Sequence, residues 1–174
     1  MKHLPIACLL ALGSASAFAA SGPSSLFGNN VEVSYVQLST NGVAGHQNGW
    51  DVSATAYLGK SDFFVNALTS VGGDLGNGSD EVSLGYRIKN VASLADVAVT
   101  VGSDETYGLA LHRALGAGFG AWVSYERVAN GHDVNLAVSK MLTHDVSADL
   151  GYTAISRDGQ ANAHAWSLGV RYKF

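Results

Sequence analysis

The last nine residues, Trp166-Ser167-Leu168-Gly169-Val170-Arg171-Tyr172-Lys173-Phe174, alternate without a break between large apolar side chains and small or charged ones. A period of two puts Trp166, Leu168, Val170, Tyr172 and Phe174 on one face of an extended strand, with Ser167, Gly169, Arg171 and Lys173 on the other. Two upstream segments repeat the pattern. In one, Trp50, Val52, Ala54, Ala56 and Leu58 oppose Asp51, Ser53, Thr55 and Tyr57; in the other, Val82, Leu84, Tyr86 and Ile88 oppose Glu81, Ser83, Gly85, Arg87 and Lys89. Extending the reading outward, clusters of Gly, Asn, Asp and Ser divide the chain into ten predicted strands: 31–40, 49–58, 63–71, 80–89, 95–102, 106–113, 119–128, 133–142, 146–155 and 164–174. The weakest stretch is 91–98, which also tolerates a helical turn.

The connections alternate in character. Those at 59–62, 90–94, 114–118 and 143–145 are compact, whereas the set 41–48, 72–79, 103–105, 129–132 and 156–163 contains the longest loops. This short-turn, longer-loop asymmetry is that of a barrel threading a membrane from one side. Lys60, Lys89, Arg113, Lys140 and Lys173 recur about once per hairpin beside the compact turns and the chain end.

Composition narrows the class. With 174 residues the chain is one domain, 47% hydrophobic and only 14% charged. Its formal net charge is −4, and no run of Lys and Arg exists to track a nucleic-acid backbone. No apolar run reaches the roughly 18 residues of a spanning helix. Residues 1–19 read as a signal peptide: Lys2 supplies the basic start, Leu4 to Leu12 the apolar core, and Ala17-Phe18-Ala19 the small-x-small cleavage site. Cys8, the single cysteine, falls within that segment, so an exported chain has no disulfide and is held by backbone pairing, packing or a membrane.

The oily face points inward in a water-soluble barrel and outward in a membrane barrel. Alternation alone does not choose between them. The aromatics do: Trp50, Tyr107, Tyr125 and Trp166 fall beside the longer loops, with Tyr152 one layer deeper, while Phe63, Tyr86, Phe119, Tyr172 and Phe174 fall near the compact turns or the terminus. Val, Leu and Ala fill the band between, giving two girdles around an aliphatic belt. The polar face favours Gly, Ser, Ala and Thr, which suits a narrow interior better than an open surface.

The terminal stretch from Trp166 to Phe174 resembles the last strand of bacterial outer-membrane barrels, which finish in an aromatic residue read by the assembly machinery. The chain is similar to the small OmpX and OmpA-barrel type. That resemblance implies an all-β, closed, antiparallel, up-and-down transmembrane barrel in the outer membrane, here of about ten strands although those families have eight. It implies a periplasmic segment over 20–30, the barrel over 31–174, and Trp166, Leu168, Val170, Tyr172 and Phe174 as the assembly signal. It also implies the barrel assembly machinery, outer-membrane lipid and lipopolysaccharide as partners of a monomer. The expected role is an integral surface component or a narrow porin-like channel, with adhesion through outward loops as the alternative.

A barrel of this size is too narrow for a wide aqueous porin. The expected interior charges are Asp51, Glu81, Arg87, Lys89, Asp149, Arg171 and Lys173, which must pair or be wetted. No catalytic role is expected. His46, His132-Asp133 at a loop tip, His164 and Asp104-Glu105 lack the spacing of a nucleophilic triad or a metal site, and Asn130-Gly131 reads as a tight hairpin turn. No metal or other cofactor is implied.

Overall fold

A computed structural model of the chain describes residues 28–75, 80–92, 94–103 and 105–174. The segment read as a signal peptide lies outside the described residues. Ten strands follow one another: β1 (Asn30–Thr40), β2 (Gln47–Tyr57), β3 (Phe63–Gly73), β4 (Asp80–Val91), β5 (Ala95–Gly102), β6 (Tyr107–Gly116), β7 (Phe119–Val128), β8 (Gly131–Met141), β9 (Val146–Arg157) and β10 (Ala163–Lys173). Each pairs antiparallel with its chain neighbours. The ring closes where β1 meets β10, in register from Asn30↔Lys173 to Thr40↔Ala163. Closure leaves no sheet edge unpaired. Of the stretch with helical tolerance, Val91 ends β4 and residues 95–98 open β5, where Val97, Val99 and Val101 alternate as the strand pairs with β4 and β6.

Local chemistry sets the turns. Ala117 (φ 50°) and Gly118 (φ 74°) both take left-handed backbone between β6 and β7, the conformation that matches a two-residue hairpin to the twist of its strands. Between β7 and β8 the turn is Ala129-Asn130, one residue earlier than Asn130-Gly131, and Val128 pairs with Gly131. Gly131 is needed there for space, since a Cβ would stand 2.0 Å from the Ser156 carbonyl oxygen. The shift has a consequence. His132 and Asp133 belong to β8 rather than to a loop tip, and successive strand residues face opposite sides of the wall.

The barrel is inside out relative to a soluble one. Leu168 is 62% exposed while Arg171, three residues on, is 1% exposed. Trp50, Phe63, Tyr86, Tyr107, Phe119, Tyr125, Trp166 and Tyr172 are all exposed on the outer wall, and Tyr152 is half-buried there. Neighbouring rings brace one another: Tyr35 meets Trp50 at 5.4 Å, Phe63 meets Tyr86 at 4.7 Å, and Tyr152 meets Trp166 at 4.9 Å between centroids. Such aromatic contacts contribute about 0.5–1.5 kcal/mol beyond simple burial.

Candidate functional site

The inward side chains fill the lumen in layers. At the end where β1 begins and β10 ends, Glu32 of β1 and Arg171 of β10 are direct register partners. Arg171 donates from Nε (3.1 Å) and Nη2 (2.9 Å) to Glu32 Oε2, and Nη2 lies 3.5 Å from Asp149 Oδ2. Ser34 donates to Glu32 Oε1 at 2.8 Å, and Ser147 to Asp149 Oδ2 at 3.2 Å. Gly169 makes room for this cluster: a Cβ on it would come within 2.4 Å of Ser34 Oγ and 2.7 Å of Glu32 Oε1.

At the mouth on the β2–β4 side, Asp62 in the β2–β3 turn receives Lys89 Nζ at 2.7 Å and Arg87 Nη2 at 3.2 Å. The Lys89 bond, reinforced by Arg87, holds the Asp62 carboxyl below the usual carboxylate range. Arg87 also lies over the Tyr57 ring, 5.1 Å from its centroid. Lys89 is half exposed at this rim.

Above these charges sits an apolar layer formed by Phe64, Ala98, Ala110, Trp122 and Ala137, with Tyr57 packed against it. Phe64 lies flat over Gly85, where a Cβ would meet its Cζ at 2.1 Å. Large rings on two strands are accommodated by Gly and Ala on the strands facing them, which is how a small barrel fills its core. At the loop end a second apolar cluster, Val36, Leu38, Leu75, Ile155 and Ala165, lines the β9, β10 and β1 side of the lumen. Leu75 comes from beyond β3 and folds over Gly49. The Asp74 and Leu75 amides both donate to the Asn48 carbonyl, at 2.7 and 3.3 Å.

Between the apolar layers lies a polar one. Asp51 accepts from Ser70 at 2.6 Å, Asn66 donates to Thr55 at 2.9 Å, and Asn135 links Ser124 (3.1 Å) to Thr153 (2.6 Å). At the loop end of β9, Arg157 clamps Asp133 with both terminal nitrogens, the Nη2–Oδ2 bond being 2.9 Å. Glu126 is the exception. It is 0% exposed, stands directly opposite Asp133 in the β7/β8 register, and neither carboxylate oxygen has a hydrogen-bond partner among the described residues. Glu126→Leu replaces an unpartnered buried carboxyl group by an apolar side chain of similar size, so it is expected to raise stability by on the order of 1 kcal/mol. An unchanged or lower urea midpoint at neutral pH would show that the carboxyl group is compensated.

Of the expected interior charges, Asp51, Glu81, Asp149 and Arg171 lie deep in the wall's inner face, whereas Arg87, Lys89 and Lys173 stand at the mouth near the termini. Glu32, Asp96, His112, Glu126, Asp133 and Arg157 were not anticipated. They obey the same alternation, but β7 carries Trp122 inward and Arg127 outward, which blurs the contrast between its faces.

Among the described residues the histidines and acids considered above do not converge. His132 faces outward, stacked on Tyr125 at 5.7 Å, while Asp133 faces inward. Ser39 Oγ and His46 Nδ1 are 2.8 Å apart in the open, without a carboxylate on the ring. Among the described residues no group of three His, Cys, Asp or Glu side chains is placed to hold a metal. A small cavity bordered by Glu32, Ser34, Asp51, Ser53 and Ser167, with Val36 and Leu68, has room for about one water.

Neither a family model nor a curated protein matches the chain. Solved structures do. An outer membrane channel from Pseudomonas putida F1 aligns with a TM-score of 0.51 and 11% identity, over 84% of this chain and 96% of that one. The KdgM porin aligns at 0.47 and 12%, over 82% and 99% respectively. Neisserial surface protein A aligns at 0.39 and 14%, over 84% and 96%. At 11% identity the likeness to the channel is one of fold alone, a closed antiparallel barrel.

Proposed function

We propose that the chain is an integral barrel of a bacterial outer membrane, an exported surface component whose lumen is closed. The observation that carries this reading is the inverted burial: leucines and aromatics cover the outside, and Arg171, Glu126 and Asp133 are sealed within. A protein in water with that arrangement would expose an apolar belt far larger than soluble monomers tolerate. The apolar layer built on Phe64 and Trp122, with residues from β2 to β8, argues against a continuous wetted path. Exchange with the surroundings then falls to the outer wall and the loops, which keeps surface interaction ahead of conduction. On this reading residues 1–19 direct export, the stretch from Trp166 to Phe174 engages the barrel assembly machinery, and the barrel acts as a monomer without catalysis.

The expected result is a band whose SDS-gel mobility changes on boiling and a protein that inserts into a planar bilayer silently. Phe64→Ala with Trp122→Ala, which removes the two fully buried rings of that apolar layer, is expected to introduce small reproducible current steps. Steps from the native protein would identify a narrow channel instead. A chain that partitions as soluble and shows no mobility change would end the membrane reading.

A further inference from the structure

Three neighbouring strands bring five oxygen-bearing side chains to one point of the lumen. Glu32 and Ser34 lie two residues apart on β1 and share its inner face, and their direct register partners on β2 are Ser53 and Asp51. Directly opposed side chains on one face of an antiparallel pair stand about 4.5–5.5 Å apart at Cβ, so these four form a square. Ser167 reaches it from β10, where it pairs with Val36, the next inward residue of β1. The five border a single small cavity with room for about one water, and Val36 and Leu68 complete its lining.

The bonds around this space use up protons and keep lone pairs. Ser34 donates its hydroxyl proton to Glu32 Oε1 at 2.8 Å, so at the cavity its oxygen acts as an acceptor. Ser53 is 5% exposed, and among the described residues its hydroxyl has no hydrogen-bond partner. A hydroxyl buried in that way is costly unless something in the cavity engages it. Charge points the same way. Arg171 serves two carboxylates, Glu32 and Asp149, so the seam carries more negative than positive charge before Asp51 is counted. Buried charge of this kind calls for a counter-charge. A water would satisfy the hydroxyls and leave the imbalance as it is.

We propose that Glu32, Ser34, Asp51, Ser53 and Ser167 hold one dehydrated monovalent cation of sodium size, which ties β1 and β2 to β10 at the closing seam. A space for one water admits such an ion and excludes its hydration shell, which disfavours magnesium, an ion that keeps several waters. Calcium takes about six to eight oxygens and draws heavily on carboxylates, whereas three of these five donors are neutral hydroxyls. Potassium is larger and would have to push the square apart. The site lies inside the barrel and goes beyond the membrane reading without depending on it.

The test uses the full barrel in an uncharged maltoside detergent, unfolded in urea and refolded in sodium, potassium, calcium or choline chloride at equal ionic strength, so that the ion can enter as the lumen forms. The gel-mobility shift on boiling establishes that each variant is folded. Sodium is expected to raise the urea midpoint saturably, by an increment that the other three salts do not reproduce, as binding to the folded state alone requires. Equilibrium dialysis with radioactive sodium is expected to find one ion per chain. Ser53→Ala removes a hydroxyl that bonds no other described group, so it is expected to weaken sodium binding about tenfold while the midpoint in choline chloride stays at the native value. Asp51→Asn is expected to abolish the sodium increment, read as the difference between its own midpoints in sodium and choline. Equal midpoints in the four salts, or a rise common to all of them, would overturn the proposal and leave the cavity to a water. A Ser53→Ala variant with the native sodium response would overturn it too, and a response that saturates at lower calcium than sodium would overturn the monovalent assignment.

Discussion

Arg171→Met is expected to destabilise the barrel by about 3–5 kcal/mol, because it strands two buried carboxylates whose shared cation has gone. Glu32 is 4% and Asp149 6% exposed, so neither recovers much hydration where it stands. Ser34 and Ser147 each satisfy a single oxygen of their carboxylate and bring no charge. The site also lies on the closing seam, where Glu32 and Arg171 face each other across β1 and β10. Loss therefore appears twice: as a lower urea midpoint, and as a fraction of unboiled protein that no longer runs as a closed barrel. Glu32→Gln and Asp149→Asn, added to Arg171→Met, should recover most of the loss, since neutral groups cost far less to bury than unpaired ions. A single variant as stable as the native protein would mean that water reaches the seam.

The strand set was legible because its signal is local. Val, Ile, Leu and aromatic residues alternate with Ser, Thr, Gly and Asp over stretches of about ten residues, and turn chemistry separates them. The compact connection expected over 114–118 narrows to the two-residue turn Ala117-Gly118, because β6 runs on to Gly116. The direction of the oily face was legible too, through the aromatics at the strand ends. The interior was less so, since its logic is pairwise and long-range. Arg171 and Glu32 are 139 positions apart, and only the closed register brings them together. Phe63 and Phe64 are adjacent and chemically alike, yet one belongs to the girdle and the other fills the lumen over Gly85. Leu75 lies outside any strand, so periodicity has nothing to say about it. His132-Asp133 was read as a loop pair because the Asn130-Gly131 signal pointed one residue too far along; the wall in fact divides them.

Leu136→Arg on β8 separates a membrane wall from an ordinary exposed surface more sharply than any lumen change. Leu136 is 50% exposed, with Tyr152 on β9 and Val123 on β7 as register partners. On a soluble protein, a charge at a half-exposed position away from special features changes stability by no more than about 0.5 kcal/mol. In a bilayer the same guanidinium would sit in hydrocarbon, at a cost of about 2–4 kcal/mol near the midplane. Val138→Arg, one outward position nearer the compact turns, should cost less as the side chain nears the boundary and its head can reach water. The measurement is the urea midpoint of folding into phosphatidylcholine vesicles, set against the unfolding midpoint of the same variants in maltoside micelles. A large penalty in vesicles that shrinks in micelles and decreases toward the boundary is the expected pattern. If Leu136→Arg were tolerated in vesicles, the wall between the two aromatic girdles would not lie in hydrocarbon, however oily it is.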